Sequence, residues 1–403
     1  MSMFLLKRVK VLLFGLFMLV IVGATPRVLA DTKEWTFLVY LNGFNSLDSF
    51  GYINLNQMEQ IGSSDKVNIV VQFASLKTRK VTRLYVVKGP VPNGKVNSPV
   101  IQDLGLVDMG DYRTLTDFVE WGAKNYPAKH ILLDVWNHGS GWHFQGKKKK
   151  PAHFRFQDIS YDDISNNRIL TEQLGEALKI ATTSIRRPID VYGSDACLMA
   201  MLEVAGEMRK SVNYFVGSQQ LEPGLGWPYD KILSALVKNP AMSPMDLSKE
   251  IVTDYRASYP KNIEITMAAY DLSKYDALTK AVSSFVSEFT TLKKTIRTKF
   301  LDAMKSTIFF YIDQYRDLGD FLREAQKIAT KNQISLKTLP GVQDKIRDFV
   351  IANEASSDYS RASGAGIWIP TTPDTIVDYG DRYQELQFNL DTHWLNAISA
   401  TVN

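Results

Sequence analysis

Short apolar runs alternate with amphipathic stretches along most of this chain. Trp35–Leu41, Val67–Phe73 and His130–Trp136 are nearly continuous runs of apolar and β-branched residues. That is the pattern of strands buried on both faces. Ile189–Tyr192 and Tyr214–Gln219 read the same way. Val81–Val87, after the basic Lys77–Lys80 segment, alternates like a strand nearer an edge. Helical patterns lie between: Ser49–Ile61, a helix within Asp111–Asn125 with Thr114 as N-cap and Pro127 as its stop, and a helix capped by Thr171 running through Ile180. Such alternation predicts a mostly parallel sheet with helices on both faces, an α/β sandwich.

From Pro240 to about Phe349 the pattern turns mainly helical, broken by a strand pattern at Ile263–Tyr270. Gly364–Pro370 is a last apolar strand able to return to the sheet. The expected organisation is a leader over 1–30, an α/β domain over 31–239, and a helical C-terminal subdomain over 240–403 whose strands complete the first sheet.

The leader reading rests on Lys7, Arg8 and Lys10 before the apolar Val11–Ala24, with Val28-Leu29-Ala30 offering small residues for cleavage before Asp31. The apolar run is near the lower limit for a membrane span, and the Val-x-Ala site favours cleavage over a retained anchor. Export to the periplasm or medium is therefore expected, with no membrane attachment afterwards. Charge changes with it. The chain carries 47 Lys and Arg against 43 Asp and Glu. Removing 1–30 takes four cations and no acids, leaving 43 of each sign. The basic balance of the whole chain is thus no sign of nucleic-acid or membrane binding.

Cys197 is the only cysteine, so no internal disulfide can form. It follows the strand Ile189–Tyr192 and a Gly193-Ser194-Asp195 turn, and an apolar helix-forming segment, Leu198–Met208, comes next. A thiol at a strand's C-terminal end and near a helix start is placed to react. His138 ends the strand His130–Trp136 in the same manner. If the two strands are neighbours in a parallel sheet, thiol and imidazole emerge at one edge, as a nucleophile and an acid/base. Alone, Cys197 reads as a small core residue and His138 as a turn residue; on matching strand ends the pair reads as catalytic. Gly139 leaves room for substrate, and its N–H with that of Cys197 could form an oxyanion hole; tight-turn geometry alone would also account for the glycine. Metal chemistry has weak support. His143 and His153 have no zinc-site spacing, and Asp158, Asp162 and Asp163 fit no EF-hand loop.

The Asn137-His138-Gly139-Ser140-Gly141-Trp142 and Ser194-Asp195-Ala196-Cys197-Leu198-Met199 boxes resemble those of the clostripain-like cysteine peptidases, in the caspase–legumain–gingipain group. The similarity takes in the opening strand, Ile61–Asp65, Glu222–Trp227 and Asp317–Phe321. It implies a caspase-like three-layer sandwich, a His138–Cys197 dyad, and Asp195 as the carboxylate that binds Arg or Lys at P1. A carboxylate at a pocket base suits a guanidinium physically; the plainer reading makes Asp195 the cap of the helix carrying Cys197. Family members are activated by cleavage in the loop between the dyad strands, where Lys147, Lys148 and Lys149 are the candidates; Lys150 precedes Pro151, which blocks cleavage. Some relatives depend on Ca2+. The acidic pattern they carry after the first strand is altered here to Phe44 and Asn45, and no cofactor is otherwise indicated. The expected protein is a secreted, monomeric cysteine endopeptidase acting on proteins or peptides with Arg or Lys at P1. The rival is an inactive exported binding protein on the same fold; an amidase or transpeptidase would keep the dyad and change the acceptor.

Overall fold

Thirteen strands and the helices between them are seen in a computed structural model describing residues 32–89, 94–142 and 158–402. The leader expected over 1–30 and the lysines at 147–149 lie outside these residues. In chain order the strands are β1 (Lys33–Gly43), β2 (Val67–Ser75), β3 (Lys80–Tyr85), β4 (Val100–Gly105), β5 (Ala128–Trp136), β6 (Ile159–Asp162) and β7 (Asn167–Ile169). They continue with β8 (Ile189–Asp195), β9 (Val212–Gly217), β10 (Thr266–Asp271), β11 (Tyr315–Asp317), β12 (Val350–Ala355) and β13 (Gly366–Trp368). Nine of them form one sheet in the order β12-β10-β9-β8-β5-β1-β2-β3-β4. The five central strands, β9 through β2, are parallel, and antiparallel strands finish both edges.

The apolar runs are continuous because both faces of the sheet are covered. Alternate residues go to opposite layers: Leu38, Tyr40, Leu133 and Val135 to one core, Phe37, Val39, Leu41 and Leu132 to the other. Helices α1 (Asp48–Ile61), α5 (Tyr229–Lys238) and α6 (Pro244–Ser258) pack on the second core. Helices α2 (Tyr112–Asn125), α3 (Thr171–Ile185) and α4 (Leu202–Met208) cover the first, with helices from the C-terminal part of the chain. Each fully buried aliphatic contributes roughly 1.5–3 kcal/mol, so the two layers hold the central strands firmly in register.

Several local expectations change. Gly364–Pro370 does not return to the main sheet; β13 pairs with β11 in a separate two-stranded sheet. The cap of α2 is Asp111, whose side chain accepts from Arg113 N–H, while Thr114 sits inside the helix. The helix expected from Leu198 starts only at Leu202. Leu198 takes a left-handed φ of 64° and Met201 bridges Gly366, so this stretch cannot wind into the helix. β4, β6, β7, β11 and β12 were not expected and are additions; β4 is largely exposed along its length.

Two polar pins tie the C-terminal helices to this frame. Arg382 bonds Asp158 Oδ2 at 2.5 Å and Glu172 Oε2 at 2.6 Å, so the chain re-enters the fold at a fixed point. Glu203 on α4 is fully buried, and its Oε1 accepts from Trp368 N–H and Tyr383 O–H, both at 2.9 Å. Burial pushes its carboxyl up to about 7. The folded state therefore favours the neutral acid, and stability falls as pH rises from the ordinary value of 4.5 through about 7. Glu203→Gln removes that ionisation. Its thermal stability relative to wild type should improve by about 3 kcal/mol between pH 4 and pH 8; a pH-independent difference in melting would contradict this account.

Candidate active site

The position of the site follows from one rung of the parallel sheet. Trp136 on β5 stands opposite Asp195 on β8, and Asn137 N–H extends the ladder to Asp195 O at 3.2 Å. His138 and Cys197 each lie two residues beyond that rung, so the structure brings both to the C-terminal edge of adjacent strands. The approach is close. A Cβ on Gly139 would lie 2.5 Å from Cys197 O and 3.0 Å from Ala196 Cβ, so only glycine lets the two turns meet.

Cys197 sits in a turn, not at a helix N-terminus, so no helix dipole stabilises its thiolate. Its Sγ accepts from Glu222 N–H at 3.2 Å, and burial pushes the thiol up to about 11. Leu198, directly after it, holds its left-handed backbone through Leu198 N–H to Gln220 O, 3.1 Å. A bulky residue in that region stores strain, which recurs at functional sites. His138 faces the β1–α1 turn, where its Nε2 meets Ser46 Oγ at 2.9 Å. That turn is itself held by asparagines: Asn137 Nδ2 donates to Asn42 O at 2.6 Å, and Asn45 Nδ2 to Tyr161 O at 2.9 Å. Burial lowers the imidazole below its usual range, partly offset by Asp163. Both groups are therefore neutral at rest, the thiol bonded to the Glu222 backbone and the imidazole to Ser46, and they do not form an ion pair.

Asp195 is the last residue of β8 and caps no helix. Its Oδ2 accepts from Trp227 N–H at 3.1 Å and Tyr229 O–H at 2.8 Å. Gly226, at a φ of 61°, closes over it; a Cβ there would come within 2.6 Å of Asp195 Oδ1. Glu222 lies alongside, its carboxyl pushed well up by burial and by the charges of Asp195 and Cys197. No described N–H or hydroxyl donates to either Glu222 oxygen; its raised carboxyl carries the proton in a hydrogen bond to Asp195. Asp134, on the same face of β5, meets the Tyr229 hydroxyl at 2.5 Å. Thus Asp134, Asp195 and Glu222 share one buried corner beside the thiol, and none forms an ion pair among the described residues. Reading the chain alone missed Asp134, Glu222, Tyr229 and Ser46. The one available signal was Asp134, an acid inside an otherwise apolar strand.

The clostripain-family sequence profile matches residues 39–400. The chain belongs to the clostripain family. Clostripain of Hathewaya histolytica is 22% identical over 365 residues, 79% of this chain and 68% of that protein. A secreted C11 cysteine protease of Bacteroides thetaiotaomicron, solved with an irreversible peptide inhibitor, superposes with a TM-score of 0.65 at 22% identity, covering 90% of this chain and 99% of that one. An inactive zymogen C11 protease of Parabacteroides distasonis gives 0.64 at 18% identity, covering 90% and 98%. The expected α/β sandwich is the fold of these proteases, and clostripain-family membership makes the chain a cysteine peptidase.

The resting thiol carries a direct test. Because its thiolate forms only toward pH 11, alkylation of Cys197 by iodoacetamide should still be accelerating at pH 9, where an ordinary thiol is half ionised. A rate that levels off below pH 8 would mean a preformed thiolate.

Proposed function

We propose that this clostripain-family member is an exported endopeptidase that cleaves after Arg or Lys, with Cys197 and His138 as its dyad. The observation that carries the reading is their equal offset from the Trp136–Asp195 rung. In this mechanism the Cys197 sulfur attacks the scissile carbonyl and its proton passes to His138. Ser46 occupies Nε2 of that ring, leaving Nδ1 for the exchange. The imidazolium then protonates the leaving amine, and water, deprotonated by His138, hydrolyses the thioester. The N–H groups of Gly139 and Cys197 hold the oxyanion.

Asp195 binds the P1 cation in this reading. Its support is the carboxyl corner, where Asp195 and Glu222 accept few hydrogen bonds and have no counter-cation among the described residues, and a guanidinium would supply both. Glu222–Gly226 covers Asp195 in the form described, so substrate entry displaces that loop. The loop between β5 and β8 offers Lys147, Lys148 and Lys149 for self-cleavage, and residues 1–30 direct export.

Cys197→Ala should lower hydrolysis of Arg- and Lys-amides by at least about a thousandfold. Wild type incubated alone should show a new N-terminus at 148, 149 or 150 that is absent from Cys197→Ala. Asp195→Asn should cut kcat/KM for Arg-amides roughly a hundredfold, mainly through KM. Undiminished cleavage by Cys197→Ala defeats the dyad, and an unaltered P1 preference in Asp195→Asn removes Asp195 from substrate binding.

A further inference from the structure

Tyr229 poses a problem of proton counting. Its hydroxyl lies 2.5 Å from Asp134 Oδ2 and 2.8 Å from Asp195 Oδ2, both hydrogen-bond lengths. A phenol has one proton to donate. If that proton goes to one carboxylate, the other can bond the phenol oxygen only by carrying a proton of its own. Two ionised carboxylates on one hydroxyl would set lone pair against lone pair in an interior without solvent, at high cost.

The surroundings of the two acids say which one holds the proton. Asp195 Oδ2 already accepts from Trp227 N–H, as an ionised oxygen does. Asp134 Oδ2 has Tyr229 as its one described partner, while its Oδ1 accepts from Asp195 N–H at 3.2 Å. Asp134 is also the deeper of the two, fully buried on the sheet face beneath α5. We propose that Asp134 is a protonated carboxylic acid at neutral pH, donating to Tyr229, which donates to Asp195, so that Asp195 bears the negative charge.

The proton's location stands on this geometry; its consequence for specificity rests on the reading of Asp195 as the P1 anion. Asp134 and Tyr229 are then positioning residues, fixing the Asp195 carboxylate without meeting substrate. Burial and the Asp195 charge push Asp134 up to about 8, further than Asp195, in keeping with this order. The titratable groups facing Asp134 are Asp195 on β8, Glu222 in the loop before α5, and Tyr229 on α5, with Tyr192 on the opposite face of β8 feeling its charge through the sheet. None is a cation, and the one hydrogen bond among them that would favour an ionised Asp134, from the Tyr229 hydroxyl, is the bond Asp195 competes for.

Infrared difference spectra of the full chain at pH 7, wild type minus Asp134→Asn, test the assignment. The expected result is a positive carbonyl band of a protonated carboxylic acid. A positive band of an ionised carboxylate in its place would overturn the proposal. Kinetics supply the second arm. The Asn amide reproduces both the donor to Tyr229 and the acceptor for Asp195 N–H, so Asp134→Asn should keep KM for an Arg-amide within about threefold of wild type. Asp134→Leu removes the donor and should raise KM about tenfold or more, with a smaller change in kcat. Equal impairment of the Asn and Leu variants would overturn the relay. Should wild type show no preference for basic P1 residues, the reading of Asp195 fails, while the infrared band still places the proton.

Discussion

The parallel pairing of β5 with β8 is the constraint on which the rest of this molecule depends. A register shift of one residue would turn the alternate side chains of either strand to the opposite layer. Leu132 and Leu133 would then exchange cores, and Asp134 would enter the wrong one. The two apolar layers therefore enforce the register, and the register sets His138 level with Cys197. Past the rung the chain leaves regular structure on both strands, through Gly139 on one side and the left-handed Leu198 on the other. Strict regularity positions the site, and irregular backbone at its edge exposes chemistry that a continued ladder would have buried.

The same face of the sheet that carries this pairing also collects acids. Asp134 and Asp195 alternate with Leu132 and Val191 on the surface beneath α5, where an isolated charge is expensive. Glu222 joins them from the loop that covers the thiol. Nothing in the apolar packing requires three carboxyls there, and apolar side chains of similar volume would fill the space at lower cost. In the proposed reading the P1 cation supplies the missing counter-charge: Asp195 faces it, and Asp134 stays behind as the neutral acid that holds Tyr229. The neutral thiol follows from the same setting, because a thiolate beside Asp195 would add a second unpaired charge.

How much of this was legible in the sequence depended on periodicity. The five central strands announced themselves because burial on both faces leaves few polar positions in them. β4 was silent because it is exposed, and β13 misled because an apolar triplet does not say which partner it pairs with. At the site, Cys197 and His138 were readable as matched strand ends. Ser46, Glu222 and Tyr229 were not, since each reaches the site from a loop or helix start far away in sequence, and contact order leaves no local trace. The helix expected at Cys197 failed for a related reason. Leu198–Met201 has good helical propensity, but Leu198 N–H to Gln220 O and Ala200 N–H to Ser218 O hold it to the extended segment just past β9.

That failed helix alters the chemistry as well as the outline. A cysteine at a helix N-terminus would have its thiolate stabilised by the dipole and would be reactive at rest. Cys197 instead has a single backbone N–H on its sulfur, a partly buried setting, and the charge of Asp195 opposing its ionisation. Under the function proposed above, reactivity arises when substrate arrives: the P1 cation neutralises the acidic corner, the covering loop shifts, and the proton leaves the thiol for His138 as the sulfur attacks. In such an arrangement the group that selects the substrate also lifts the electrostatic penalty on the nucleophile, so specificity and activation are one event.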